Sequence, residues 1–358
     1  MLKKITALSI GLLGCVTFVR SQDSASVKEE PVSPLIISGS VDTYYKYDLS
    51  GYKPGNIPTS FANENNSISL GMVDVAIKKA TGKASFVGEV SFGPRGQYQS
   101  LPNGNGDGGN GDNSFQIQNL YVSYAFTDKF SMTAGYMGTF VGYEVISPTG
   151  NFNYSTSYLF TGGPFQNAGI KANYSFSDKV GVMLGLFNDW NQYRDVNGVS
   201  HFGGQLFLAP AEGWSAYFNF LTGKSADTGG TGTVLDLTTA YQITEKFKLG
   251  LNAADYTLTN DLGGYSGVAL YPQYAFTKAF ALGLRGEYFQ SKDATIGGVA
   301  AEGQSVTALT VSANIKAGNL TVIPEIRFDN SSAENFFKEN GNPTKSASQF
   351  LIGAVYSF

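Results

Sequence analysis

The stretch Leu320-Thr321-Val322-Ile323-Pro324-Glu325-Ile326-Arg327-Phe328 carries an apolar residue at every even position, while its odd positions include Glu325 and Arg327. Successive side chains of a strand point to opposite faces, so this segment reads as a β-strand with one oily and one wet face. The split repeats upstream. Phe280, Leu282, Leu284, Gly286 and Tyr288 oppose Arg285 and Glu287; Trp214, Ala216, Phe218 and Phe220 oppose Ser215, Tyr217 and Asn219; Leu309, Val311, Ala313 and Ile315 oppose Thr310, Ser312 and Asn314.

Tight turns alternate with longer polar loops between such strands. The tight turns are Thr127-Asp128-Lys129, Ser177-Asp178-Lys179, Ala211-Glu212-Gly213, Thr244-Glu245-Lys246, Thr277-Lys278-Ala279 and Ala317-Gly318-Asn319. Extra length goes into loops such as Pro94 to Ser114, where Asn103 to Gly111 offers no side chain able to pack. One strand on each side of every turn gives about sixteen. They begin near Leu35, Ser67, Ala84, Gln116, Phe130, Asn167, Val180, Phe202, Trp214, Val234, Phe247, Ser266, Phe280, Ser305, Leu320 and Gln349. Short turns on one side and long loops on the other are the asymmetry of an outer-membrane barrel. Phe126, Phe130, Phe176, Trp214, Phe247, Phe276 and Phe280 flank the short turns and read as one interfacial aromatic girdle. The fold expected is all-β: a transmembrane antiparallel up-and-down barrel with long extracellular loops and short periplasmic turns. A soluble sandwich or solenoid would need a dry interior for the oily face, and explains neither girdle nor turn asymmetry.

Composition agrees. Charged residues are 15% of the 358, against roughly 25% in ordinary soluble domains. There are 26 Phe, 21 Tyr, 2 Trp and 44 Gly, with hydrophobics at 42% and a net charge of −4. Low apolar content with high net charge marks disorder, and this chain has neither. Beyond the first twenty residues no apolar run approaches the roughly 18 to 20 residues of a spanning helix. No basic field exists to attract nucleic acid.

Residues 1–21 read as a signal peptide, with Lys3 and Lys4 ahead of the apolar run Ile5 to Phe18. Residues 22–34, which include Pro31 and Pro34, read as a flexible periplasmic leader, and 35–358 as the barrel, placed in the outer membrane of a Gram-negative bacterium. The one cysteine, Cys15, follows Leu12-Leu13-Gly14 as in a loose lipoprotein box, but Val16, Phe18 and Val19 continue the apolar run past it. Cleavage after Ser21 leaves a mature chain without cysteine, hence without disulfides, thiolate catalysis or cysteine metal sites. The last strand, Phe350, Ile352, Ala354, Tyr356 and Phe358, resembles the signal that hands barrels to the outer-membrane insertion machinery.

Sixteen strands enclose water. The wet face carries Asp42, Lys46, Asp74, Glu89, Lys171, Asp189, Asp236, Arg285, Glu287, Glu325 and Arg327. As pore-lining residues, Arg285 with Arg327 and Glu287 with Glu325 would set up a transverse field; the generic reading is lumen polarity. The balance implies weak cation preference. The third long loop, Val141 to Gln166, is too aromatic for a merely solvated loop. Folded inward as a constriction it would act through Glu144, Asn151, Asn153, Tyr154 and Tyr158; folded outward it would pack on neighbouring loops.

Gly142-Tyr143-Glu144, Asn151 to Ser157, Pro164-Phe165 followed by Gly169, and Asn188-Asp189-Trp190-Asn191 resemble the OmpL-like type 2 family of β-barrel porins, common in Bacteroidota. The chain has Thr156 where that family often has arginine. The resemblance implies an outer-membrane channel for passive diffusion of small hydrophilic solutes. Its partners would be outer-membrane lipid, lipopolysaccharide and, for a homo-oligomer, further copies of the chain.

A barrel hydrolase would need a histidine base near a serine. The one histidine, His201, follows Ser200, and neighbours on a strand point to opposite faces. No histidine cluster suits zinc, so no metal, cofactor or catalytic residue is expected. A closed barrel serving as a receptor or scaffold is the competing class, and the aromatic loop fits that too.

Overall fold

The computed structural model describes residues 33–57, 59–95, 116–226 and 228–358. The signal segment with Cys15, most of the leader and the Asn103 to Gly111 loop lie outside the described residues. Sixteen strands close a barrel in chain order: β1 (Ile36–Asp48), β2 (Ser67–Thr81), β3 (Ala84–Phe92), β4 (Gln116–Ala125), β5 (Phe130–Gly138), β6 (Gln166–Ser177), β7 (Val180–Phe187), β8 (His201–Leu208), β9 (Trp214–Lys224), β10 (Thr231–Gln242), β11 (Phe247–Leu258), β12 (Gly264–Ala275), β13 (Phe280–Ser291), β16 (Ser305–Ala317), β17 (Leu320–Ser331) and β20 (Ser346–Ser357). The short ribbons β14–β15 (Ala294–Ile296, Val299–Ala301) and β18–β19 (Phe336–Phe337, Pro343–Thr344) decorate two of the long loops. The strand starts follow the sequence reading closely; the largest departures are Thr231 against Val234 and Ser346 against Gln349. Period 2 sets the faces, while the loop-side ends, where polarity stops alternating, are less sharply marked.

Closure joins β1 to β20, from Ser40↔Ser357 to Asp48↔Gln349. The terminal Phe358 extends that seam, exchanging two backbone hydrogen bonds of 3.0 Å with Gly39. No edge is left with unpaired backbone groups, the condition for crossing a bilayer in strands. Two strand prolines each interrupt one ladder and pair in the other. Pro324 faces Ile352 of β20, while the β16–β17 register skips from Ser312↔Glu325 to Ile315↔Val322. Pro272 faces Leu249 of β11 beside a similar skip against β13. A residue without an N–H can serve only one side of a sheet.

The turn chemistry repeats. In Thr127, Thr244 and Thr277 the hydroxyl accepts from the backbone N–H groups two and three residues on. The residue before each threonine donates to the aromatic that opens the next strand, as Phe276 does to Phe280 at 3.0 Å. Rings then stack around the turn, with Tyr124, Phe126 and Phe130 matched by Tyr274, Phe276 and Phe280.

Burial is inverted relative to a soluble domain. Leu235, Leu284 and Leu309 are 58%, 42% and 45% exposed on the outer face, whereas Arg285, Thr310 and Arg327 on the inner face are fully buried. An exposed apolar row of this kind is what a lipid-facing barrel wall requires. Replacing Leu284, midway along β13, with arginine should therefore lower the unfolding free energy in lipid vesicles by about 2–4 kcal/mol, read from a guanidinium unfolding curve. An unchanged midpoint would mean that this face does not meet lipid.

Candidate functional site

Three strands, β13, β16 and β17, bring four charges of the inner face together. Arg285 and Arg327 both pair with Thr310, so they stand in one row two strands apart, while Glu287 faces Ala308 and Glu325 faces Ser312 in the rows on either side. The arginines and glutamates therefore interleave and do not separate into a basic half and an acidic half.

Their partners come from the loop 139–165. Glu325 accepts from the backbone N–H of Tyr154 (2.9 Å), from the N–H and hydroxyl of Ser155, and from the Ser312 hydroxyl (2.8 Å). Arg285 donates to Glu144 Oε1 (2.7 Å), Ser155 O (2.6 Å), Thr156 O and Thr310 Oγ1. Arg327 holds Asp329 through two nitrogens (2.8 and 3.0 Å), donates to Thr156 O (2.8 Å) and lies over the Tyr158 ring. Glu287 accepts from the N–H groups of Tyr158 (3.0 Å) and Leu159 (2.8 Å). Those two open the short helix α1 (Tyr158–Gly162), whose Ser157 cap accepts from Phe160 N–H. First-turn N–H groups have no intrahelical acceptor, so a carboxylate there satisfies them directly. Where the resembled family often carries an arginine, Thr156 offers its carbonyl to two arginines from the wall.

Of the five loop residues singled out in the sequence, four reach this network or its surroundings. Glu144 joins Arg285 to Ser157, accepting the Ser157 N–H at 2.7 Å. Asn153 donates to Ser312 (2.7 Å), Tyr154 donates to Asp42, and Tyr158 donates to Asp329 (2.7 Å). Burial pushes the Tyr158 phenol well above its usual value, which keeps it a donor. Asn151 instead closes its own loop, bonding both the N–H and the carbonyl of Val145. Asp236 ties down the start of the loop by accepting from Gly142 N–H (3.0 Å), with Asn219 and Asn252 on the same carboxylate. Asp74 and Glu89 sit apart on β2 and β3, and Lys171 is half-buried on β6. Asp189 lies beyond the end of β7, in the loop before β8 and not on a barrel strand.

Several contributors carry no charge pattern that a sequence reading would catch. Gly250, Gly283 and Gly353 are sockets on β11, β13 and β20: a Cβ at each would run into the ring of Tyr143, Phe152 and Tyr154 respectively. Loop 49–66 also takes part. Ser60 N–H donates to Thr156 Oγ1 (3.2 Å), Phe61 packs against the stacked rings of Phe160 and Phe165, and Arg95 lies over Phe61 and Tyr154. An aromatic in a polar loop, shared with Tyr52, is the only sequence signal for Phe61.

The Ser200–His201 expectation needs correction. Ser200 precedes β8, so strand alternation does not govern it, and its hydroxyl lies 2.8 Å from His201 Nδ1. Asp189 Oδ1 approaches the same nitrogen at 3.5 Å and accepts from Ser200 at 2.8 Å. A catalytic relay places serine and carboxylate on different ring nitrogens, so this cluster cannot relay a proton in that manner.

The profile described as "Putative beta-barrel porin-2, OmpL-like" matches residues 34–358. No curated protein matches in sequence. Among solved structures, the outer membrane channel DcaP of Acinetobacter baumannii superposes with a TM-score of 0.61 at 13% identity, covering 90% of this chain and 97% of that one. The Salmonella typhi OmpF complex with daunomycin gives 0.61 at 13%, covering 90% and 97%. The anion-selective porin from Comamonas acidovorans gives 0.58 at 13%, covering 91% and 99%. At such identities the likeness is one of fold.

Glu325→Ala would strand the N–H groups of Tyr154 and Ser155, at about 1–3 kcal/mol for each buried group left unsatisfied. Gly353→Val would collide with the Tyr154 ring. Both variants should still form the barrel and should open residues 152–158 to limited proteolysis that the parent chain is expected to resist; equal resistance would show that these contacts do not hold the loop.

Proposed function

The chain belongs to the OmpL-like β-barrel porin-2 family, and from that premise we propose a porin of the bacterial outer membrane through which small hydrophilic solutes diffuse passively, narrowed by its third loop folded inward. Membership rests on a profile match over residues 34–358, and the closed barrel of sixteen strands has the fold of solved porins. The observation that carries the narrowing is the set of hydrogen bonds from residues 153–159 to Glu287, Ser312 and Glu325, which belong to the barrel's inner face. A loop so bound is anchored on β13, β16 and β17 and packs as well on Met72 of β2, Phe187 of β7 and Leu221 of β9, which leaves solutes the part of the lumen it does not fill.

The segment 1–21 serves as the export signal in this reading. Pore-lining roles divide in two. Arg285, Glu287, Glu325, Arg327, Asp42 and Asp236 hold the loop and present little free charge to solutes. Asp74, Glu89 and Lys171 have no ion pair among the described residues and act on what passes. A receptor or scaffold built on the same barrel would need no conducting path.

Planar-bilayer recording of the purified, refolded protein tests the proposal. Stable openings are expected, and deletion of Asn151 to Tyr158 should raise the single-channel conductance. Silence from a heat-modifiable, correctly folded barrel would favour the scaffold, and unchanged conductance after the deletion would sink the constriction.

A further inference from the structure

The inner faces of β2 and β3 hold two carboxylates to which the third loop makes no hydrogen bond among the described residues. Asp74 on β2 pairs with Ser91 of β3, and Glu89 pairs with Ala76, so the two acids are diagonal neighbours on one face. Such neighbours are within reach of long side chains. Both are buried, and no described lysine or arginine makes an ion pair with either. Glu89 Oε2 accepts one hydrogen bond, from Asn119 Nδ2 at 2.6 Å. Asp74 Oδ1 is buried without a partner.

A second, independent orphan lies beside them. Ser40 on β1 is directly opposite Asp74, so their side chains share the inner face, and Ser40 is 1% exposed with a hydroxyl that also finds no partner. Buried polar atoms in folded proteins are almost always satisfied, so the Ser40 hydroxyl and Asp74 Oδ1, adjacent and both without a partner, leave room for a ligand between them. The neighbouring charged groups are otherwise placed. Asp42, next along β1, is taken by Tyr154, by Met72 N–H (2.9 Å) and by Arg95 at 3.8 Å. Lys78 stands four residues further along β2 on the same face and makes no ion pair with either acid.

We propose that Ser40, Asp74 and Glu89 form a recognition point for a compact singly charged cation, an alkali ion or the primary ammonium group of a solute, on the inner face of β1 to β3. Two side-by-side carboxylates repel, so alone they favour uptake of a proton, and a cation held between them offsets that repulsion and lets both ionise. The Ser40 hydroxyl adds an oxygen ligand to an alkali ion or an acceptor to an ammonium N–H. The proposal rests on the porin reading and assigns its selectivity to these three residues, while the more numerous charges of β13 and β17 are spent on the loop.

The test is the reversal potential of single channels across a potassium chloride gradient, repeated with methylammonium chloride. The unmodified channel should favour each cation over chloride. Asp74→Asn and Glu89→Gln should each reduce that preference by about five-fold, the effect of one unit charge a few ångströms away in water; the salt that responds identifies the source of the cation. Ser40→Ala should reduce it without changing any charge. An unmodified channel with no cation preference would overturn the proposal even if the variants failed to fold, as would variants whose preference equals that of the parent. Absence of channels in the parent protein would instead overturn the porin reading itself.

Discussion

Backbone that leaves the strand ladder must find hydrogen-bond partners elsewhere, and in this chain the segment 153–159 finds them in four charged residues of β13 and β17. Its N–H groups go to Glu325 at one end and Glu287 at the other, and the carbonyls between them go to Arg285 and Arg327. A buried amide without a partner costs about 1–3 kcal/mol. Four interleaved charges are therefore a template for one particular stretch of chain, acids where the segment presents N–H groups and bases where it presents carbonyls.

The rest of the site follows from that constraint. A backbone held this close to the wall leaves no room for wall side chains beneath its rings, so Gly250, Gly283 and Gly353 stand where Tyr143, Phe152 and Tyr154 arrive. The charges are consumed as well. Burying unpaired ions is prohibitively costly, and pairing them with Glu144, Asp329 and the loop carbonyls leaves little field for a passing solute. Asp74, Glu89 and Lys171, which make no ion pair among the described residues, are among the strand charges left outside this network.

The barrel supports this arrangement because its two faces are solved separately. The outer row needs only apolar surface of the right height, with rings at the water boundary, and tolerates glycine and proline wherever one ladder suffices. The inner row is free to carry polar groups at positions a soluble core would forbid. This division explains why so few charges serve the whole chain, and why most of those on the strands face inward.

The sequence by itself determined the barrel, its strand number and its two faces. Alternation is a local property: a residue's face depends only on its place in its own strand, and Leu320 to Phe328 shows it within nine residues. It also marked the third loop as unusual, through its aromatics, and marked Arg285, Glu287, Glu325 and Arg327 as inner-face charges. It could not assign their partners or see that Asn151 would bond to Val145 and not to the wall. Nor could it give a role to Gly353, Phe61 or the Ser200 hydroxyl. Those depend on contacts such as Tyr154 with Glu325, 171 residues apart. Only the tertiary structure brings such pairs together, because which wall residue meets which loop atom is fixed by strand register and loop path around the closed barrel, and neither leaves a periodic trace in the chain.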